Sequence, residues 1–287
     1  MADFICEHAP AKVNLALHIT GRRADNYHLL DTLVVFTKAG DRVRVRKAAR
    51  DSFSVTGPFC DGVPPDGDNL VLRARDLARK LAGDRASPIH IELEKNLPVA
   101  SGIGGGSSDA AATLRALNRL WGMSLSLPAL AQTAISLGAD LPMCLAAETL
   151  MARGIGEDVS PVPDLPAMAL VLVNPGVAIA TPAVFSTLEN RNNAPLPPLP
   201  TGWDYDMFVN WLAATRNDLE APALAIAPEV ATALAALRDT GASLARMSGS
   251  GATCFGLFSS AQDAARAASA IAAAQPSWYV MATTTIA

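Results

Sequence analysis

Residues 12–19 alternate between apolar and polar positions, with Val13, Leu15, Leu17 and Ile19 on one face and Lys12, Asn14, Ala16 and His18 on the other. That period of two predicts a β-strand. Leu33 to Phe36, Val43 to Lys47 and Ile89 to Leu93 read as further strands, separated by turns rich in Pro, Gly and Asp, the longest from Gly57 to Asp68. A helix is predicted over Asn69 to Leu81. Another fits Asp109 to Leu120, where Ala110, Ala111, Leu114, Leu117 and Trp121 recur at three- and four-residue steps. Pro128 to Leu137 predicts a helix that stops at Gly138. Past Arg153 the pattern restarts with a strand over Met168 to Val173. The segment Asn190 to Gly202 carries Pro195, Pro197, Pro198 and Pro200 and predicts an exposed loop. Helices are expected over Tyr205 to Thr215, Glu229 to Thr240 and Ala261 to Ala274, with a strand near Cys254 to Phe258. There is no internal repeat. Strands and helices without strict βαβ alternation predict an α+β fold, divided into domains 1–154 and 155–287.

Of the 287 residues, 50% are hydrophobic and 17% charged, so disorder is excluded and a sizeable core is available. The net charge of −4 is scattered, without a basic stripe, which argues against a nucleic-acid partner. The densest basic group, Arg42, Arg44, Arg46 and Lys47, reads as the solvated face of a strand whose other face holds Val43 and Val45. No membrane span is expected, because the most apolar stretch, Ala167 to Ala180, is broken by Asn174-Pro175-Gly176. The start, Met1-Ala2-Asp3-Phe4, lacks the form of a secretory signal. Cysteines at 6, 60, 144 and 254 and histidines at 8, 18, 28 and 90 form no metal-ligand spacing, so no structural metal is expected. A reduced, cytoplasmic setting is the expectation.

The segment Leu97-Pro98-Val99-Ala100-Ser101-Gly102-Ile103-Gly104-Gly105-Gly106-Ser107-Ser108-Asp109 changes the picture. Four glycines in five residues allow close backbone approach to a ligand, and a helix start offers unpaired N–H groups to a phosphate. A plainer role is open to the serines, since Ser107 or Ser108 could simply cap the helix. The third glycine of a dinucleotide fingerprint is replaced by Ser107, and no lysine follows the glycines as a Walker A loop requires.

The chain resembles the GHMP kinases, whose three motifs occur here in order. They are Ala9-Pro10-Ala11-Lys12-Val13-Asn14-Leu15, the glycine loop, and Met247-Ser248-Gly249-Ser250-Gly251-Ala252-Thr253-Cys254-Phe255. Three further segments are Arg22-Arg23-Ala24-Asp25-Asn26-Tyr27-His28, Gly138-Ala139-Asp140-Leu141-Pro142 and Asn217-Asp218-Leu219-Glu220. They are similar to the branch of that family acting on a cytidine-diphosphate-linked sugar alcohol in non-mevalonate isoprenoid synthesis. The likeness spans residues 6–258. Asn26 departs from it, standing where glycine is usual, as do Ala100 and Ser101 in the loop.

The resemblance implies a two-domain kinase with its site in the cleft between domains, ATP with Mg²⁺ as co-substrate, and phosphoryl transfer to the 2-hydroxyl of that small molecule. It implies Lys12 and Asp140 as catalytic residues, with Asn14 on the strand face of Lys12. Tyr27 would stack on the cytosine and His28 would hydrogen-bond its edge, while Thr181 and Phe185 close over the cytidine. ATP would be held by Asn69 and Lys95 on the adenine side and by Pro98, Val99, Ala100, Ser101, Gly102, Ile103, Gly104, Gly105, Gly106, Ser107 and Ser108. Ser107 or Ser108 would contact phosphate or Mg²⁺. Each assignment has a plainer rival: a capping carboxylate for Asp140, an exposed edge lysine for Lys12, a solvated strand end for Lys95, and core packing for Phe185. Two other functions stay open, a relative acting on a mevalonate-like or homoserine-like alcohol and a nucleotide-binding module without catalysis. Tyr27 and His28 speak against the first, and Lys12 with Asp140 against the second.

Overall fold

The structure, a computed structural model, describes residues 4–163, 165–202 and 204–286. The chain forms strands β1 (Ile5–Arg22), β2 (His28–Lys47) and β3 (Ser52–Thr56), helix α1 (Leu70–Ala82), strand β4 (Ile89–Glu94) and helices α2 (Gly105–Leu120), α3 (Leu127–Ala134) and α4 (Leu141–Ala146). Strands β5 (Leu150–Gly154), β6 (Asp158–Pro161) and β7 (Ala169–Asn174) follow, then helices α5 (Thr181–Ser186), α6 (Tyr205–Ala213), α7 (Glu220–Ile226) and α8 (Glu229–Asp239). Strands β8 (Leu244–Met247) and β9 (Cys254–Phe258), helix α9 (Ala261–Ala274) and strand β10 (Tyr279–Thr284) complete it.

The fold is α+β and has two compact units, as the sequence predicts, but they are interleaved along the chain. The smaller contains the residues up to Ala11, Gly40–Val99 and Gly104–Ala147; the larger contains Lys12–Ala39, Ala100–Ile103 and Glu148 onward. The expected single break after residue 154 has no counterpart in this division. The physical reason is strand length. The segments expected at 33–36 and 43–47 are one strand of 20 residues, and β1 has 18. At ~3.3 Å per residue each extends roughly 60 Å, so each serves both units.

In the smaller unit the second half of β2 pairs antiparallel with β4, Val43 opposite Leu93 and Val45 opposite Ile91, and β3 adds in parallel to β4. These apolar side chains are wholly buried. The opposite face behaves as the sequence implies, with Arg44 reaching Glu92 at 2.6 Å and Glu94 at 3.2 Å. Helix α1 packs on α2, and α4 contacts α2 and α3. Helix α1 begins at an Asn69 cap, whose side chain accepts from Val71 N, and α3 begins at Ser126 and gives way to a 3₁₀ turn before Gly138.

In the larger unit the first half of β2 pairs with β5, and β5 with β6. A separate antiparallel sheet runs in the order β10-β7-β9-β8. Helices α8 and α9 cover it, burying Leu234, Leu237, Ala264 and Ile271 with Val171, Val173 and Phe258 in one core.

One buried cation pins this unit internally. Arg246 on β8 donates to the carbonyls of Leu15 at 2.8 Å, Leu212 at 3.0 Å and Thr215 at 2.8 Å. Burial lowers its pKa to about 10, opposed by the Glu220 carboxylate. It stays charged at neutral pH and supplies donors that neutral side chains could not. Arg246→Leu would take a charged donor from three buried carbonyls, of which Leu212 O keeps Thr215 N and Oγ1. It should lower the unfolding free energy by roughly 3–5 kcal/mol, taking ~1–3 for each lost partner as the scale and allowing for partial relaxation, measured by urea denaturation.

Candidate active site

Within the larger unit, the polar face of β1 is buried along with its apolar face. Lys12, Asn14 and His18 are each at most 6% exposed, so the exposed-lysine alternative for Lys12 does not hold. Buried polar groups need partners, and each has one. Lys12 Nζ donates to Asn14 Oδ1 at 3.2 Å, the pair expected from their shared strand face. Asn14 Nδ2 donates to Thr32 Oγ1 at 2.8 Å, and Asn14 N to Ser248 Oγ at 3.1 Å. The free edge of β1 is closed by residues 216–218, where Leu17 N donates to Arg216 O and Asp218 N to Leu17 O, both at 2.9 Å.

The third glycine motif meets loop residues 100–103 on this face. Ser248 Oγ donates to Gly102 O at 3.2 Å, and Thr253 N donates to Ser101 O at 3.0 Å. Lys12 N donates to Ile103 O at 2.9 Å. At Gly102 (φ 78°) a Cβ would lie 2.6 Å from Gly251 O and 2.7 Å from Ser248 O, so no side chain fits. Asn217 holds the motif from behind, donating to Met247 O at 2.9 Å and Gly249 O at 2.8 Å. Ala100 has φ 51° and Asn26 φ 72°. Two of the three departures from the family pattern therefore occupy left-handed backbone, where asparagine is the best tolerated residue after glycine. Alanine there costs ~1–2 kcal/mol.

The turn at Asn26 presents Tyr27, 59% exposed, beside His28. His28 stacks on Phe185 with ring centroids 4.8 Å apart and planes 27° apart. Phe185 packs against the core as well, so its two readings coexist. His28 Nε2 is buried without a hydrogen-bond partner. Burial lowers the His28 pKa below 6.5, and the cations of Arg22 and Arg191 lower it further. The imidazole is neutral at neutral pH and has one ring nitrogen to offer. Thr181, at the start of α5, is exposed and shares a 2.8 Å hydroxyl contact with Ser250.

Within the smaller unit, α2 begins four residues before the predicted start. Its cap is Gly104 in a left-handed conformation (φ 65°), with Gly105 and Gly106 in the first turn. Neither Ser107 nor Ser108 is the cap, which corrects that alternative; Ser107 is half-buried, and the Ser108 hydroxyl is buried without a partner. Asp140 precedes α4, with Pro142 second in that helix, yet its carboxylate makes no cap hydrogen bond. It is half-buried, and its backbone carbonyl accepts from Cys144. Pro98 is buried, while Val99 is 40% exposed beside Gly62.

The two adenine-side candidates have committed side chains. Asn69 caps α1 and donates to Pro64 O at 2.7 Å. Lys95 is 3% exposed rather than solvated, and its ammonium lies 2.5 Å from Asp41 Oδ2 and 2.7 Å from Asp109 Oδ2. Sequence reasoning gave Asp41 and Asp109 no role. Their separations from Lys95, 54 and 14 residues, follow no helical or strand spacing. Among the described residues, no group of three or more His, Cys, Asp or Glu could hold a metal ion, and no helix is long and apolar enough to cross a membrane.

Residues 69–148 match the GHMP kinases N terminal domain, and residues 205–277 match GHMP kinases C terminal. The 4-diphosphocytidyl-2-C-methyl-D-erythritol kinase of Mesorhizobium japonicum is 56% identical over 277 residues, 96% of this chain and 94% of the relative. That of Agrobacterium fabrum is 54% identical, covering 98% and 96%. A crystal structure of 4-(cytidine 5'-diphospho)-2C-methyl-D-erythritol kinase superposes with a TM-score of 0.81 at 33% identity, covering 99% of this chain and all of that one. A homoserine kinase from Cytophaga hutchinsonii shares the fold at 19% identity, with a TM-score of 0.69 and coverage of 100% and 95%.

The backbone at Gly104 makes the loop sensitive to any side chain. Gly104→Val would place a β-branched residue at φ 65° at the head of α2. The variant should stay folded, with an unchanged far-ultraviolet spectrum, and lose nucleotide affinity by ~10-fold or more in calorimetry.

Proposed function

Because the chain belongs to the GHMP kinase family, we propose that it transfers the γ-phosphoryl group of ATP to the 2-hydroxyl of 4-diphosphocytidyl-2-C-methyl-D-erythritol. The observation that carries the choice of substrate is His28, stacked on Phe185 with a buried, unpartnered Nε2. A ring stack beside an unsatisfied ring nitrogen suits a nucleobase edge, and a mevalonate-like or homoserine-like alcohol has none. The relatives above 50% identity, which match this chain nearly end to end, support the same reading. Four free cysteines, none in a disulfide, support a reducing cytoplasmic setting.

Phosphoryl transfer asks the protein mainly for positioning and charge stabilisation. In the proposed reaction Asp140 takes the proton of the 2-hydroxyl, and the alcohol oxygen forms its bond to the γ-phosphorus. The bond from that phosphorus to the β,γ-bridging oxygen breaks, and ADP leaves. Asp140 has the placement for this, half-buried at a helix start without capping that helix. Lys12, steered by Asn14, steadies the attacking oxygen and the developing negative charge. The loop from Pro98 to Ser108 supplies backbone N–H groups to the phosphates. Mg²⁺ bound to the nucleotide would neutralise phosphate charge. The unpartnered Ser108 hydroxyl, or that of Ser107, fits as the protein's oxygen ligand, since Mg²⁺ with a nucleotide needs few. Tyr27 stacks on the base, and Thr181 with Phe185 closes over the cytidine.

ADP release with Mg·ATP across the cytidyl substrate, mevalonate, homoserine and galactose tests the assignment, with turnover expected for the first alone. Asp140→Asn should bind both substrates as wild type does and lose ~10²–10⁴-fold in kcat; full activity would return Asp140 to a structural role. His28→Ala should raise KM for the cytidyl substrate and narrow its advantage over a uridyl analogue, while Tyr27→Ala weakens both alike. The neutral imidazole also sets a pH dependence. Its folded pKa lies below 6.5, so protonation comes only on acidification. KM for the cytidyl substrate should be flat from about pH 8 to 7 and rise below about pH 6, whereas the His28→Ala enzyme should lack that rise.

A further inference from the structure

We infer that Lys95 is a positioning residue for the phosphate loop: with Asp41 and Asp109 it clamps both ends of the segment that runs from β4 into α2. This inference rests on the kinase reading above and concerns how the same loop is held.

Three observations converge on it. Lys95 opens the segment and Asp109 closes it, and one ammonium joins them, with Asp109 Oδ2 at 2.7 Å and Asp41 Oδ2 at 2.5 Å. The other oxygen of Asp41 accepts from the next two backbone amides, Asn96 N at 2.5 Å and Leu97 N at 2.8 Å. Asp41 therefore fixes the first three residues of the segment from β2. The ammonium also lies directly against the loop glycines, because a Cβ built on Gly105 would come within 3.0 Å of Lys95 Nζ. Gly105 is the first residue of α2, so the cation props the turn whose amides would face the phosphates.

All three side chains are at most 3% exposed, and no contact with adenine is needed to account for them. Their charge balance is consistent with a permanent fixture. Burial pushes the Asp109 carboxyl up to about 8, the Asp41 carboxylate adding to the rise and the Lys95 ammonium opposing it. Both carboxyl groups share the one ammonium in a site closed to water. A buried group of this kind is weak evidence for stability, but it fixes geometry, and misplacing reacting groups by an ångström costs ~10²-fold.

The test uses the full chain, with ATP affinity by calorimetry, KM for ATP, KM for the alcohol substrate, kcat and thermal unfolding. Lys95→Met alone leaves Asp41 charged and buried without a counterion and could unfold the protein. The double variant Lys95→Met with Asp41→Asn removes the charge pair together, while Asn keeps an oxygen for the Asn96 and Leu97 amides. It should fold, lose ~10–10²-fold in ATP affinity with a like rise in KM for ATP, and keep KM for the alcohol within about 2-fold. Asp109→Ala should show the same split, and Asp109→Asn, which still offers the ammonium an oxygen, should stay within ~3-fold of wild type. A folded double variant with wild-type ATP affinity would overturn the inference. So would a melting temperature that falls while both KM values move together, or an Asp109→Asn enzyme as weak as Asp109→Ala. Failure of the kinase reading would appear elsewhere, as absent ATP binding or turnover in the unmodified protein.

Discussion

The hydroxyl of Ser248 accepts from Asn14 N and donates to Gly102 O, and it joins three segments separated by more than 80 residues of chain at each step. The constraint behind it is the burial of a polar strand face. Once β1 carries Lys12 and Asn14 inward, their polar atoms need partners that the strand itself cannot provide. The two side chains pair with each other and with Thr32, while the loop at 100–103 and the motif at 247–251 take their backbone amides, and both come close only because glycine leaves room. Asn217 and Arg246 then hold the motif and the strand from further out through backbone carbonyls. The phosphate-binding role proposed for this loop would thus depend on hydrogen bonds that touch no phosphate.

Two buried cations do this work in opposite ways. Arg246 has no carboxylate among its hydrogen-bond partners and turns its charge on carbonyl dipoles, and burial lowers its pKa. Lys95 faces two acidic side chains, and burial, with the Asp41 charge adding to it, raises the pKa of Asp109. A planar guanidinium suits carbonyls spread over three directions, whereas a compact ammonium suits two acidic side chains converging on a point. Exchanging the two residues would leave each site with the wrong number and direction of donors.

Much of this was legible in the sequence, and the remainder failed for identifiable reasons. Helix α9 and strand β9 fall where periodicity places them, and α1, α3, α6 and α8 differ by a few residues at their ends. The pairing of Lys12 with Asn14 followed from the two-residue repeat. The extent of β1 and β2 did not, because Gly40 and the turn-like Lys38-Ala39-Gly40 interrupt the hydrophobic pattern while the backbone stays extended. The start of α2 was placed late because glycine is a poor helix former; here Gly105 lies against Lys95 Nζ, and both it and Gly106 are helical regardless. Strands β3, β6, β8 and β10 are four to six residues long with mixed burial, too short for a period to register. The cluster around Lys95 was invisible for a different reason, since its members belong to a strand interior, a strand end and a helix, and only the fold brings them together.

The interleaved chain also orders events during synthesis. Leu17 takes its edge partners from residues 216–218, which leave the ribosome about 200 residues later. At ~5–20 residues per second that is a wait of roughly 10–40 s. Throughout it, an apolar strand with an unpaired edge is exposed to whatever else is nearby. The smaller unit is complete at Ala147 and can form while the rest is still being made. Between Ala147 and residue 216 the nascent chain thus carries one finished body and one long strand awaiting its neighbours. That strand is where holding chaperones would engage and where a pause in translation past Ala147 would do the most harm.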